Sequence, residues 1–179
     1  MQELSMNILD VAKNSVRARA RLIEIRVSES ERDDSLVIEI NDDGCGMSAE
    51  QVRGVTDPFY TTRTTRKVGL GVPLFKMSAE MAGGSFTIDS APGKGTDVKA
   101  SYVRSHIDRM PLGDVGASVL TLIQGSPEID FVYTYQTDRG SFCADTREFR
   151  KVLAGVPLDT PEVLDFIRAY IAEHTAALQ

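Results

Sequence analysis

Cysteine is scarce in this sequence: Cys45 and Cys143 stand far apart with no metal-type spacing. That excludes a disulfide-built scaffold and a cysteine zinc centre, and it fits a reducing, cytoplasmic setting with free thiols. Histidine is as rare, and neither His106 nor His174 has a metal-type neighbour, so both read as surface residues. No apolar run approaches the ~20 residues of a membrane span. The amphipathic start "MQELSMNILDVAKNS" carries Glu3 and Asp10 and has no signal-peptide pattern. Positive charge is not in excess either. The net charge is -6 and the only basic cluster is "RTTRK", which excludes a nucleic-acid-binding tail.

What is present is enough to fold. An apolar fraction of 42% over 179 residues supports a core and one substantial domain with at most a small appendage. At ~100° per residue, residues 4–19 form an amphipathic helix, with Ile8, Ala12 and Val16 on one arc and Asp10, Asn14 and Arg17 opposite. "RLIEIRVSES" alternates as a strand, "ERDD" turns, and "SLVIEIND" returns as its hairpin partner. Ser48, followed by Glu50, caps a short helix. The stretch from Thr56 to Gly71 lacks periodicity and reads as a functional loop. A helix over 72–81 tolerates Pro73 in its first turn, and "SFTIDSAPGKGTDVKASYV" reads as strand, turn, strand. The first 104 residues are therefore expected to form an α+β two-layer sandwich. A connector over 105–114 leads to residues 115–179, which read as helix, hairpin and two helices. Thr160 would cap the last helix and Pro161 would open it. A module of this size is marginal alone and is expected to pack on the first. Phe131, Tyr133 and Tyr135 share one strand face, which fits the core better than a partner.

"NDDGCGMSAE" is the most unusual stretch. Two aspartates precede two glycines, and the second glycine invites the idea of a non-protein group lying against the backbone. Four features fall in order: "DVAKN" on the first helix, "DDGCG" after a strand, "VGLG" opening a helix, and "GKGT" before a strand. With "DPFYTTR" as a fifth match, the set over about residues 4–104 resembles the nucleotide-binding boxes of the gyrase, heat-shock chaperone, histidine-kinase and mismatch-repair (GHKL) ATPase superfamily, the Bergerat fold. The nearest likeness is to stand-alone histidine-kinase-type ATP-binding domains.

The resemblance implies ATP and Mg²⁺ as ligands. Asp42 would accept from the adenine amino group as a buried carboxylate. Gly44 and Gly46 would let the backbone pass close to base and sugar, with Met47 beside them. Asn14 would ligate Mg²⁺ through its amide oxygen. Asp10 stands where hydrolysing members carry a Glu, shorter by about 1.5 Å. It is either a general base or a residue orienting the Mg²⁺ water shell. Arg17 either reaches phosphate or lies on the surface. Gly69, Leu70 and Gly71 open a helix whose N-terminus suits phosphate, while Lys67 replaces a glycine of the fuller motif. Arg63, Arg66 and Lys67 would favour a triphosphate electrostatically, and Phe59 and Tyr60 would pack beneath this segment. Thr96 would reach the adenine side through its hydroxyl, with Gly93 and Gly95 shaping the turn. Cys45 is expected to be a buried, inert thiol.

Function then divides. Because the sequence starts at the nucleotide domain, self-phosphorylation is not expected. One expectation is a kinase acting in trans on a protein Ser, Thr or His in bacterial signalling. The other is a nucleotide-dependent switch, a slow ATPase or an anti-sigma-like binding protein that regulates a partner. An unidentified protein is the expected partner in both, a homodimer stays open, and neither nucleic acid nor membrane is expected.

Overall fold

A computed structural model describes residues 2–59 and 69–179. The chain orders as α1 (Leu4–Arg17), β1 (Leu22–Ser30), β2 (Ser35–Asp42), α2 (Ala49–Thr56), α3 (Gly71–Met81), β3 (Ser85–Ser90) and β4 (Thr96–Val103). It continues through α4 (Val115–Gly125), β5 (Asp130–Thr137), β6 (Gly140–Asp145), α5 (Thr146–Leu153) and α6 (Pro161–Leu178). The strands form one six-stranded mixed sheet in the order β3-β4-β2-β1-β5-β6. Only β1 and β5 run parallel, with Ile25 opposite Tyr133. Residues 115–179 thus add two strands to the sheet begun by the N-terminal half.

Strand alternation produces two unlike faces. Ile23, Ile25 and Val27 of β1, Leu36, Ile38 and Ile40 of β2, and Val98, Ala100 and Tyr102 of β4 are all buried beneath the helices. Glu24, Arg26, Asp97 and Lys99, at the intervening positions, are exposed. One face is therefore core and the other polar, the ordinary solution for a two-layer α+β sheet. Phe131, Tyr133 and Tyr135 belong to the core, and Phe142 meets both tyrosines edge-on, with ring centroids 5.8 and 6.2 Å away. The Tyr135 hydroxyl donates to Glu29 at 3.0 Å. Burial and that carboxylate push the hydroxyl's pKa up to about 12.

The first helix is the platform for the site. Ile8 and Ala12 are fully buried and Asp10 faces out, as the helical period requires. Its first turn has no side-chain cap. Instead the Leu4 and Ser5 amides donate to the carbonyls of Pro111 and Leu112 at 3.0 and 2.8 Å, so the connector satisfies them. The helix ends two residues before the sequence pattern suggested, because Arg19 turns left-handed at φ 59. Ser48 does cap α2, but its reciprocal partner is the Gln51 side chain. Thr160 makes no side-chain hydrogen bond to α6. His174 is half-buried, stacked 4.1 Å from Tyr170, and His106 is half-buried as well.

Because β5 is hydrogen-bonded to β1, a cavity at Phe131 should weaken the whole sheet. Phe131→Ala is expected to cost about 3–5 kcal/mol. In urea titrations, far-ultraviolet circular dichroism and tyrosine absorbance should both shift to the same lower midpoint.

Candidate functional site

The pattern that buries one face of the sheet also puts polar groups at one end of it. Asp42 closes β2 opposite Thr96 of β4, and Thr96 in turn lies opposite Ser90 of β3. All three fall on the helix-covered face, in register with Ile40 and Val98 two residues away. Asp42 and Thr96 form the floor of a cavity of about 690 Å³, within the range of small-molecule sites, and Ser90 touches Thr96 from outside that lining. Val11, Val55, Val72, Ile88 and Val98 supply apolar wall, and Asn14, Ser15 and Arg17 border it from α1.

The two aspartates of "NDDG" have different work. Asp42 is half-buried. Its Oδ2 accepts from the Ser15 hydroxyl at 2.6 Å and its Oδ1 from the Gly44 amide at 2.8 Å. Asp43 is turned away, and its Oδ1 accepts from the Arg21 and Leu22 amides at 2.7 and 3.0 Å. Partial burial pulls the Asp43 carboxyl up, but the Leu22 and Arg21 amides outweigh it and hold it below the usual range. Asp43 thus fastens the start of β1, while Asp42 faces the cavity.

The glycines have a reason within the protein itself. A Cβ on Gly46, where φ is +69, would sit 1.9 Å from the Ala91 carbonyl oxygen, and one on Gly44 would meet Ala18 at 2.9 Å. What lies close against this backbone is protein. Gly46 still lines the cavity with Met47 and Cys45, and Cys45 is exposed there.

On α1, Asn14 Oδ1 accepts from Arg17 Nη1 at 3.2 Å. Arg17 is thus held on the amide, whose oxygen keeps a second lone pair. Among the described residues no group of three His, Cys, Asp or Glu side chains could hold a metal ion. Such a donor set suits only a cation that brings most of its ligands with it, as Mg²⁺ does on a polyphosphate. Gly69 lines the cavity. Gly71 opens α3, and a Cβ there would stand 3.0 Å from the Asp10 Cβ. Asp10 is therefore packed against the start of α3; with Gly44, Leu70 and Gly71 it is absent from the cavity lining. Phe59, expected to be packed, is 88% exposed. Arg63, Lys67, Arg66 and Tyr60 lie outside the described residues.

Two residues with no motif behind them, Ser15 and Ser90, make central contacts. Ser90 Oγ accepts from the Met47 amide at 2.9 Å, donates to the Gly95 carbonyl at 2.8 Å, and lies 2.9 Å from Thr96 Oγ1.

Residues 1–106 match the family model of histidine kinase-, DNA gyrase B- and HSP90-like ATPases. The sensor histidine kinase ZraS of Klebsiella oxytoca is 34% identical over 93 residues, covering 51% of this chain and 20% of that protein. The sensor protein DegM of Bacillus sp. (strain B21-2) is 32% identical over 94 residues, 52% of this chain and 25% of its own length. This chain therefore spans a quarter or less of those two relatives. Among solved structures, the N-terminal domain of a DNA repair protein aligns with a TM-score of 0.51 at 17% identity, over 81% of this chain and 52% of that one. That likeness is one of fold.

Gly46→Ala should be strongly destabilising in the nucleotide-free protein, by more than the ~1–3 kcal/mol of left-handed strain alone. Gly69→Ala, with nothing within 4 Å of its Cβ, should stay within about 0.5 kcal/mol. Thermal melts of the two variants check this. Asp43, whose folded-state pKa is lowered, contributes stability above its unfolded pKa of about 3.9, and that contribution is lost as pH falls through the folded value. Asp43→Asn should therefore flatten the acid limb of a stability-versus-pH curve.

Proposed function

The chain belongs to the histidine kinase-, DNA gyrase B- and HSP90-like ATPase family, and from that footing we propose that it binds Mg·ATP and passes the terminal phosphate in trans to a protein. The adenine would sit over Asp42 and Thr96, the triphosphate would run past Asn14 toward the start of α3, and Mg²⁺ would be shared between phosphate oxygens, waters and the Asn14 amide. The observation that carries this reading is the cavity itself. Paired acceptors stand on two neighbouring strand ends at its floor, apolar side chains line its walls, and the Asn14 side chain and Val72, in the first turn of α3, border it. Hydrogen-bond donors at the open N-terminus of α3 favour a phosphate there.

Neither His106 nor His174 lines the cavity: His106 faces Asp108 and His174 stacks on Tyr170. Asp10 supports a second reading, a slow hydrolase that regulates a partner through nucleotide state. Its Cβ packs beside Gly71, at the helix start where the terminal phosphate would lie. A carboxylate on that turn of α1 could serve water activation.

Asp42→Asn should weaken ATP binding by about 10- to 100-fold in calorimetry, the usual loss for a charge-assisted hydrogen bond. Unchanged affinity would end the nucleotide reading of this pocket. With γ-labelled ATP and extract from the source cell, label should appear on a protein other than this chain. Asp10→Asn separates the two readings: it should spare labelling if Asp10 is no base, and abolish slow hydrolysis while sparing binding if it is.

A further inference from the structure

We infer that Ser15 and Ser90 are positioning residues that make the cavity floor a surface of acceptors only, and so select a base that offers an exocyclic amine over one that offers a carbonyl. The inference rests on the nucleotide reading above and adds to it the origin of base choice.

The argument is a proton count. A serine hydroxyl has one hydrogen and two lone pairs. Ser90 gives its hydrogen to the Gly95 carbonyl and takes one from the Met47 amide. With its hydrogen spent, Ser90 can only accept from Thr96, 2.9 Å away. The Thr96 proton therefore points to Ser90, outside the cavity lining, and Thr96 turns lone pairs toward the cavity. On the other side of the row, Ser15, only 4% exposed, spends its hydrogen on Asp42 Oδ2 at 2.6 Å. The Gly44 amide takes Oδ1 at 2.8 Å. Both carboxylate oxygens are pinned, one donor each, so the plane of the group is set and each oxygen keeps a lone pair to offer.

Asp42 and Thr96 are cross-strand partners on one face, which places their Cβ atoms about 4.5–5.5 Å apart. A 6-amino group between them can give a hydrogen to each. A 6-oxo group would instead face two sets of lone pairs with no donor available, and an unpaired polar contact of this kind costs about 10- to 100-fold in affinity. The two serines act from opposite ends. Without Ser15 the carboxylate is free to rotate, which weakens the amine contact. Without Ser90 the Thr96 proton is released and can turn to meet a carbonyl.

The test compares ATP with ITP, which differ at the 6-position as amine against carbonyl, by calorimetry on the full chain and its variants. The wild type should prefer ATP by at least about tenfold. Ser15→Ala should cut that ratio by weakening ATP with ITP little changed, and Ser15→Thr, which keeps the hydroxyl, should preserve it. Ser90→Ala should cut the ratio from the other side, by strengthening ITP. Melting curves without nucleotide establish that each variant is folded; if Ser90→Ala is not, the Ser15 pair decides. A wild-type preference that the folded alanine variants retain, or an equal loss for both nucleotides, would overturn the inference while leaving the nucleotide reading in place. Equal affinity of the wild type for ATP and ITP would likewise overturn the inference alone, whereas binding of neither nucleotide would end the nucleotide reading on which it rests.

Discussion

The bond on which the site is built is the 2.6 Å contact from the buried Ser15 hydroxyl to Asp42. It joins the first helix to the end of the second strand across 27 residues of sequence, at the point where the sheet stops being covered by side chains and becomes a floor. A carboxylate at a strand end would ordinarily swing into solvent. Held by one hydroxyl and one amide, it stays aimed under the helix layer, and the same bond adds to the burial of Ile8, Leu9, Val11 and Ala12 that seats α1. Asn14 precedes Ser15 in the chain, so the contact that fixes the Asp42 carboxylate also sets the position of the Asn14 amide.

Much of this arrangement could be read from the residues. The hairpin around "ERDD", the strand over 35–42 and the helix over 146–153 follow from alternation and helical period, because those segments bury one face and nothing competes with the pattern. The motif residues Asn14, Arg17, Asp42, Gly46, Met47, Gly69 and Thr96 do line one cavity. Ser15 and Ser90 were missed for an instructive reason: serine has no signature of its own. Yet Ser15 falls on the same helical arc as Ile8, and Ser90 continues the inward register of Phe86 and Ile88. A polar residue in an apolar register was the signal. The packing against Gly46 was not legible, since the Ala91 carbonyl that excludes a side chain there lies 45 residues away in sequence. Exposure of Cys45 and Phe59 depends in the same way on what the distant chain leaves uncovered.

The far end of the sheet is tied as firmly as the cavity end, by different means. Asp138, in the turn between β5 and β6, accepts from Ser30 Oγ at 2.8 Å and the Glu31 amide at 2.7 Å. Asp34, in the turn between β1 and β2, accepts from the Ser105 amide and hydroxyl at 2.8 and 2.6 Å. The first hairpin turn is thus clasped by the connector on one side and by the C-terminal hairpin on the other. Both carboxyls sit below their usual range, Asp138 chiefly through Ser30 and Asp34 chiefly through Ser105.

The parallel pairing of β1 with β5 bears on how the molecule is made. Strand β1 lies between β2 and β5, and its second neighbour is roughly a hundred residues downstream. On the ribosome, Ile23, Ile25 and Val27 are synthesised early, but the edge they stand on stays open until Asp130–Thr137 has emerged. A nascent chain in that interval presents unpaired amides along an apolar strand, a template for pairing with another copy. Closing so distant a contact is also slow. Translation speed and chaperone supply, more than the stability of the finished sheet, would then govern how much of this protein reaches its native form.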